Sequence, residues 1–120
     1  MLLKILLWIN ISFFILHEMD AIKTREWKMM IFINRLNDKT GHLVFTSSHF
    51  FLFIIIFYLM DQYFMVLFFA VSILLIIHQF MHIIFRRHAE NRMNNAFSQI
   101  IIFMMFANSC LSLIIYAMKF

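Results

Sequence analysis

The sequence predicts an all-α integral membrane protein: a four-helix bundle with a short interfacial helix after the first span. Three observations carry this expectation. Apolar residues make up 64% of the chain and charged residues 13%, against roughly 45–50% and ~25% in soluble domains. A soluble fold of 120 residues is mostly surface and could not hide that much apolar side chain. The apolar residues also fall into four continuous runs without period-two alternation, which favours helices over a barrel. Finally, there is no Pro and only one Gly, Gly41, so tight-turned β-structure has little to build on.

The runs cover residues 2–16, 43–60, 63–85 and 96–118. A helix needs about 20 residues to cross the ~30 Å hydrocarbon core. The third and fourth runs are long enough alone, and the second is marginal. The first reaches the required length only if its helix continues through His17, Glu18 and Asp20 to about residue 22. Lys4 provides a weak basic start, but no small-x-small cleavage site follows, so the first run is read as a retained helix. The expected spans are therefore 2–22, 43–60, 63–85 and 96–118, within a single membrane domain over 1–120.

The connections carry the charge. Eight of the ten Lys/Arg residues lie in two segments: Lys23, Arg25, Lys28, Arg35 and Lys39 in the first, Arg86, Arg87 and Arg92 in the second. The positive-inside rule makes these loops cytoplasmic and both termini external in a multi-pass protein of the cell membrane, the inner membrane of a bacterium. Residues 26–36 read as an interfacial helix, with Trp27, Met30, Ile31, Phe32 and Ile33 as apolar cover and Lys28 and Arg35 reaching headgroups. Residues 37–41 read as a turn, and Asn94 or Asn95 as a cap for the fourth helix. Trp8 and Trp27 suit anchoring at opposite faces. The implied partner is the lipid bilayer. A bundle this small leaves room for a homo-oligomer, although no motif specifies one. Nucleic acid is excluded as a partner, because no basic, aromatic-interleaved surface remains outside the runs. Cys110 is the only cysteine, so neither an internal disulfide nor a Cys-built metal site can form within one chain.

Ionisable groups inside a membrane are costly and usually mark a site. Those present are His17, Glu18 and Asp20 on the first span, His49 on the second, and His78 and His82 on the third. At ~1.5 Å rise per residue, His17 falls about 8 Å inside its helix end, His49 about 9 Å, and His78 and His82 about 10 and 5 Å. Three spans thus deliver imidazoles to one layer near the cytoplasmic face. The i, i+4 spacing of His78 and His82 lets both meet one metal ion. A motif of two His at that spacing has little specificity by itself. The shared layer carries more weight.

The favoured function is metal binding, with Zn or non-haem Fe at His17, His49, His78, His82 and Asp20. Glu18 is the acid/base candidate if the site performs hydrolase or oxidase chemistry. Whether the protein is an enzyme is left open. Asn10, Thr46, Asn95 and Ser98 are candidates for supporting hydrogen bonds, while His42 and His88 read as solvated loop residues. Three alternatives stand beside this reading. Haem could bind through His49 and His78 or His82 in an electron carrier. Protons or cations could pass along Asn10, His17 and Asp20. The same side chains could simply hold helices together in an accessory protein without a cofactor.

The stretch Phe14-Ile15-Leu16-His17-Glu18-Met19-Asp20-Ala21, with Glu26-Trp27 after it, resembles the opening of small bacterial His-rich membrane proteins of the HXXEE type. His17 and Asp20 match His-x-x-acid, and Ala21 stands where the second acid would be. The resemblance covers residues 14–27 and implies a compact four-helix membrane protein of unknown activity. The His/carboxylate pattern is also similar, at the level of the site alone, to that of seven-helix membrane zinc hydrolases of the ceramidase and receptor type.

Overall fold

The computed structural model describes residues 1–119. Its four long helices are α1 (Leu2–Thr24), α2 (Asp38–Gln62), α3 (Phe64–Ile84) and α4 (Ala96–Lys119). Each is long and apolar enough to span a membrane. Two short 3-10 helices, Glu26–Met29 and Phe85–Arg87, lie in the connections, and there is no strand among the described residues. The all-helical expectation therefore holds, with three of the four spans longer than the runs that announced them.

The helix ends explain the extra length. α1 runs on through His17, Glu18 and Asp20 to Thr24, and Arg25 closes it in the left-handed region at φ 58°. α2 starts at Asp38 instead of Leu43. Asn37 caps it, its side chain accepting the Thr40 N–H at 2.8 Å, so residues 37–41 are a helix start and not the expected turn. Only Tyr63 separates α2 from α3. Asn95 caps α4 as expected, its side-chain oxygen accepting the Ser98 N–H at 2.9 Å.

The expected interfacial helix over 26–36 is reduced to the 3-10 helix Glu26–Met29 followed by turns. Eleven residues make a marginal helix without tertiary support, and the reversal at Arg25 turns this segment inward. Glu26, Trp27 and Met29 are buried, while Ile31 and Phe32 stay exposed. Trp27, expected as an interfacial anchor, instead packs with Ala21, Phe45 and Met93. Trp8 is exposed on α1. Lys28 and Arg25 fold back onto Asp38 at 3.0 and 2.5 Å, and the Lys28 ammonium also donates to the Leu36 carbonyl.

α1, α3 and α4 form the tight part of the bundle, while α2 rests mainly against α3. All four contribute to one apolar core that includes Leu7, Phe14, Ile56, Phe68, Leu75 and Met105. The outer face of α2 exposes Phe50, Phe51, Ile54, Ile55 and Phe57, a surface suited to lipid. With no Gly-x-x-x-Gly seam, α1 and α4 are joined by small and polar side chains. Asn108 donates to the Leu6 carbonyl at 3.2 Å and to Asn10 Oδ1 at 2.7 Å, and Ser109 donates to the same oxygen. Buried interhelical bonds in membranes contribute modestly. Asn108→Leu is accordingly expected to lower stability by about 1 kcal/mol, read from unfolding in bicelles. No change would remove this network from the account of α1–α4 pairing.

Candidate metal centre

In the last turns of α1, three acid or imidazole side chains sort themselves among three helices. At ~100° per residue, neighbours on a helix point to different partners. His17 meets His78 of α3, Glu18 meets His49 of α2, and Asp20 meets Ser98 of α4. The three contacts lie at the end of the bundle that carries the basic connections.

The His17 contact is the centre of a larger group. His17 Nε2 lies 2.7 Å from His78 Nε2, which lies 3.0 Å from His82 Nε2. Glu26 completes the group, its carboxylate 3.4 Å from His17 Nε2, 4.0 Å from His78 Nε2 and 3.7 Å from His82 Nε2. The four side chains each offer one ligand atom, all within 4.8 Å of one another. His17 is fully buried, and His82 and Glu26 are nearly so. The i, i+4 spacing on α3 sets the two rings edge-to-face with centroids 4.6 Å apart. The Arg25 reversal sends Glu26 back over the end of α1 to meet them.

This arrangement could hold a metal ion. An ion about 2.0–2.1 Å from each donor in tetrahedral geometry places its ligand atoms roughly 3.3 Å apart. The donor separations, 2.7 to 4.0 Å, bracket that distance. Three imidazoles and a carboxylate suit zinc or non-haem iron. Burial pushes the Glu26 carboxyl up, but the approach of His17 and the nearby His78 and His82 rings outweigh it and hold the group below its ordinary range. Glu26 is therefore an ionised donor at neutral pH. Nδ1 of His17 is buried with no protein partner, so the protein supplies no hydrogen bond to orient that ring.

The profile of a family of unknown function, DUF6713, matches residues 3–119. The chain belongs to that family. The match covers all four helices and the whole His/Glu group. The likeness to the HXXEE type read from residues 14–27 is not confirmed by it. No curated protein and no solved structure matches the chain.

Within this DUF6713 member, the residues expected at the site divide. His17, His78 and His82 come together, and Glu26 joins them. Asp20 is outside the group. It is buried and accepts from the Ser98 hydroxyl, which in turn accepts from the Asn95 side-chain amide at 2.9 Å. Asp20, Ser98 and Asn95 thus form one chain that locks α1 to the start of α4. His49 is also outside the group. Its Nδ1–H donates to the Phe45 carbonyl at 2.6 Å, and Nε2 faces Glu18 Oε2 at 2.6 Å. With Nδ1 committed to a carbonyl, one proton lies between Nε2 and the Glu18 carboxyl. His49 Nε2 thus faces Glu18 and not the His78 or His82 rings. Thr46, expected to support the site, is exposed on α2, as is His42, and His88 is exposed in its loop. Asn10 is engaged by Asn108 and Ser109.

Glu26 is the donor that sequence reasoning missed. It sat in a segment read as lipid-facing, nine positions beyond His17 and across a helix end. The available signal was an acid between Arg25 and Trp27 where a helix on an anionic surface would place basic residues.

Proposed function

We propose that the protein binds one transition-metal ion, zinc or non-haem iron, through His17, Glu26, His78 and His82. The observation that carries this reading is the convergence of three imidazole Nε2 atoms. Each such nitrogen has a single in-plane site, either a lone pair or an N–H. His78 Nε2 nevertheless faces two other nitrogens at 2.7 and 3.0 Å. One proton cannot serve both contacts in line, whereas a cation accepts all three lone pairs at once. Purely structural hydrogen bonding accounts for Asp20–Ser98 and Asn10–Asn108, but leaves this triangle short of partners.

In this reading the centre lies beneath the cytoplasmic headgroups of a cell membrane, with both termini external, and 1–120 acts as one membrane domain. The basic connections support that orientation. Glu18, paired with His49, is the group we assign to proton exchange should the site carry out hydrolase or oxidase chemistry. Asp20 and Ser98 keep α1 and α4 in register, which holds His17 at its depth.

Elemental analysis of the detergent-purified protein tests the reading. The wild type is expected to carry about one zinc or iron per chain, and His78→Ala/His82→Ala less than about a tenth of that. Equal metal content in both, or none in the wild type after loading, would refute it.

A further inference from the structure

A cavity of about 340 Å³ opens directly onto the His/Glu group. Three of the four donor residues, Glu26, His78 and His82, form part of its wall, and every other lining residue is Met, Ile or Phe. Its size is at the low end of small-molecule pockets. Its polar character is confined to the donor set itself. A ligand with a polar body would bury groups without partners, at a penalty. A ligand with one metal-binding end and an apolar remainder would leave nothing unsatisfied.

The mouth points the same way. Ile31 and Phe32 line the cavity and are 78% and 94% exposed, so its rim is apolar and suited to contact with lipid. Charge adds a further constraint. Three neutral imidazoles and one carboxylate around a divalent ion leave a single positive charge, which one anionic oxygen ligand would neutralise. A zinc ion held by four protein donors takes such a ligand only by expanding to five-coordinate or by releasing one donor, whereas six-coordinate iron keeps positions free.

From this geometry we infer that the cavity admits a fatty acyl molecule from the membrane, with its carboxylate-type head on the metal and its chain along Met81 and Phe85. The inference rests on the metal reading above and adds the class of ligand.

The test uses the full chain in detergent micelles, loaded with Co(II), whose visible bands report coordination. Octanohydroxamate and acetohydroxamate share a chelating head and differ in chain length. Octanohydroxamate is expected to perturb the bands at concentrations about tenfold lower or more, since each added methylene gains from burial. Met81→Trp narrows the cavity without replacing a donor. It is expected to keep the unliganded bands and to lose most of the chain-length preference, which separates the cavity from simple partition into micelles. Phe85→Ala shortens the wall elsewhere and should weaken octanohydroxamate at least about threefold while sparing acetohydroxamate. Absence of cobalt bands in the wild type would overturn the metal reading, and this inference with it. Cobalt bands with no preference for the longer chain, or with the same preference in both variants, would overturn the acyl ligand alone.

Discussion

Glu26→Gln is expected to weaken metal binding by at least about 100-fold while leaving the four helices intact. Loss of a supporting contact around a metal typically costs 10–100-fold, and Glu26 is a direct donor in the proposed site. The substitution keeps the size of the side chain and removes its charge. The three imidazoles that remain are neutral, so the ion loses the only anionic ligand in the group. The apoprotein should stay folded. Glu26 is buried and its charge is held by the imidazoles around it, so the neutral amide of equal volume forfeits that attraction while easing the desolvation penalty, a loss of stability that the packed helices absorb. Competition with a chromogenic chelator measures the affinity, and circular dichroism of the same sample reports the fold. Unchanged affinity would remove Glu26 from the site. A lost fold would make its role structural.

Substitution at Gly41 is expected to disturb the same centre from a distance. The Trp27 indole lies against the backbone of α2, and a Cβ built on Gly41 would come within 2.4 Å of Trp27 Nε1 and 2.8 Å of Cδ1. Trp27 cannot swing away freely, because it is 1% exposed and packed by Ala21, Phe45 and Met93. Either the indole or α2 must move. Overpacking of this kind costs about 1–3 kcal/mol. Glu26 precedes Trp27 in a four-residue 3-10 helix, so a shift of the indole carries the carboxylate with it. Gly41→Ala should therefore lower both the unfolding temperature and the metal affinity, the latter by about tenfold for a displacement worth ~1.4 kcal/mol at the ion. Adding Trp27→Phe removes the clashing atoms and should restore part of both. If Gly41→Ala changes neither quantity, Trp27 does not set the position of Glu26.

The contrast between His17 and Glu26 explains what could be read from the sequence. The four spans were readable because a bilayer imposes length and apolarity on any helix that crosses it. His17, His78 and His82 were readable for a related reason: depth along a helix follows from residue count, and i, i+4 pairs share a face. Glu18 and Asp20 were visible as membrane acids, but their partners were not. Three positions on α1 address α2, α3 and α4 separately, and which helix receives which side chain depends on the rotation of α1 in the bundle. His49 shows the same limit. Its depth follows from residue count, yet its face turns to Glu18 and the Phe45 carbonyl. Glu26 depended on one backbone residue, Arg25, adopting a left-handed conformation that non-glycine residues adopt infrequently. Local composition around Arg25 does not announce that reversal.

The convergence of His17, His78 and His82 on one ion is tested most directly by X-ray absorption at the metal edge of the loaded, detergent-solubilised protein. The expected spectrum shows three imidazoles, visible through multiple scattering from their outer ring atoms, and one carboxylate oxygen, all at about 2.0–2.2 Å. A spectrum with fewer than two imidazoles, or one that His17→Ala leaves unchanged, would contradict it.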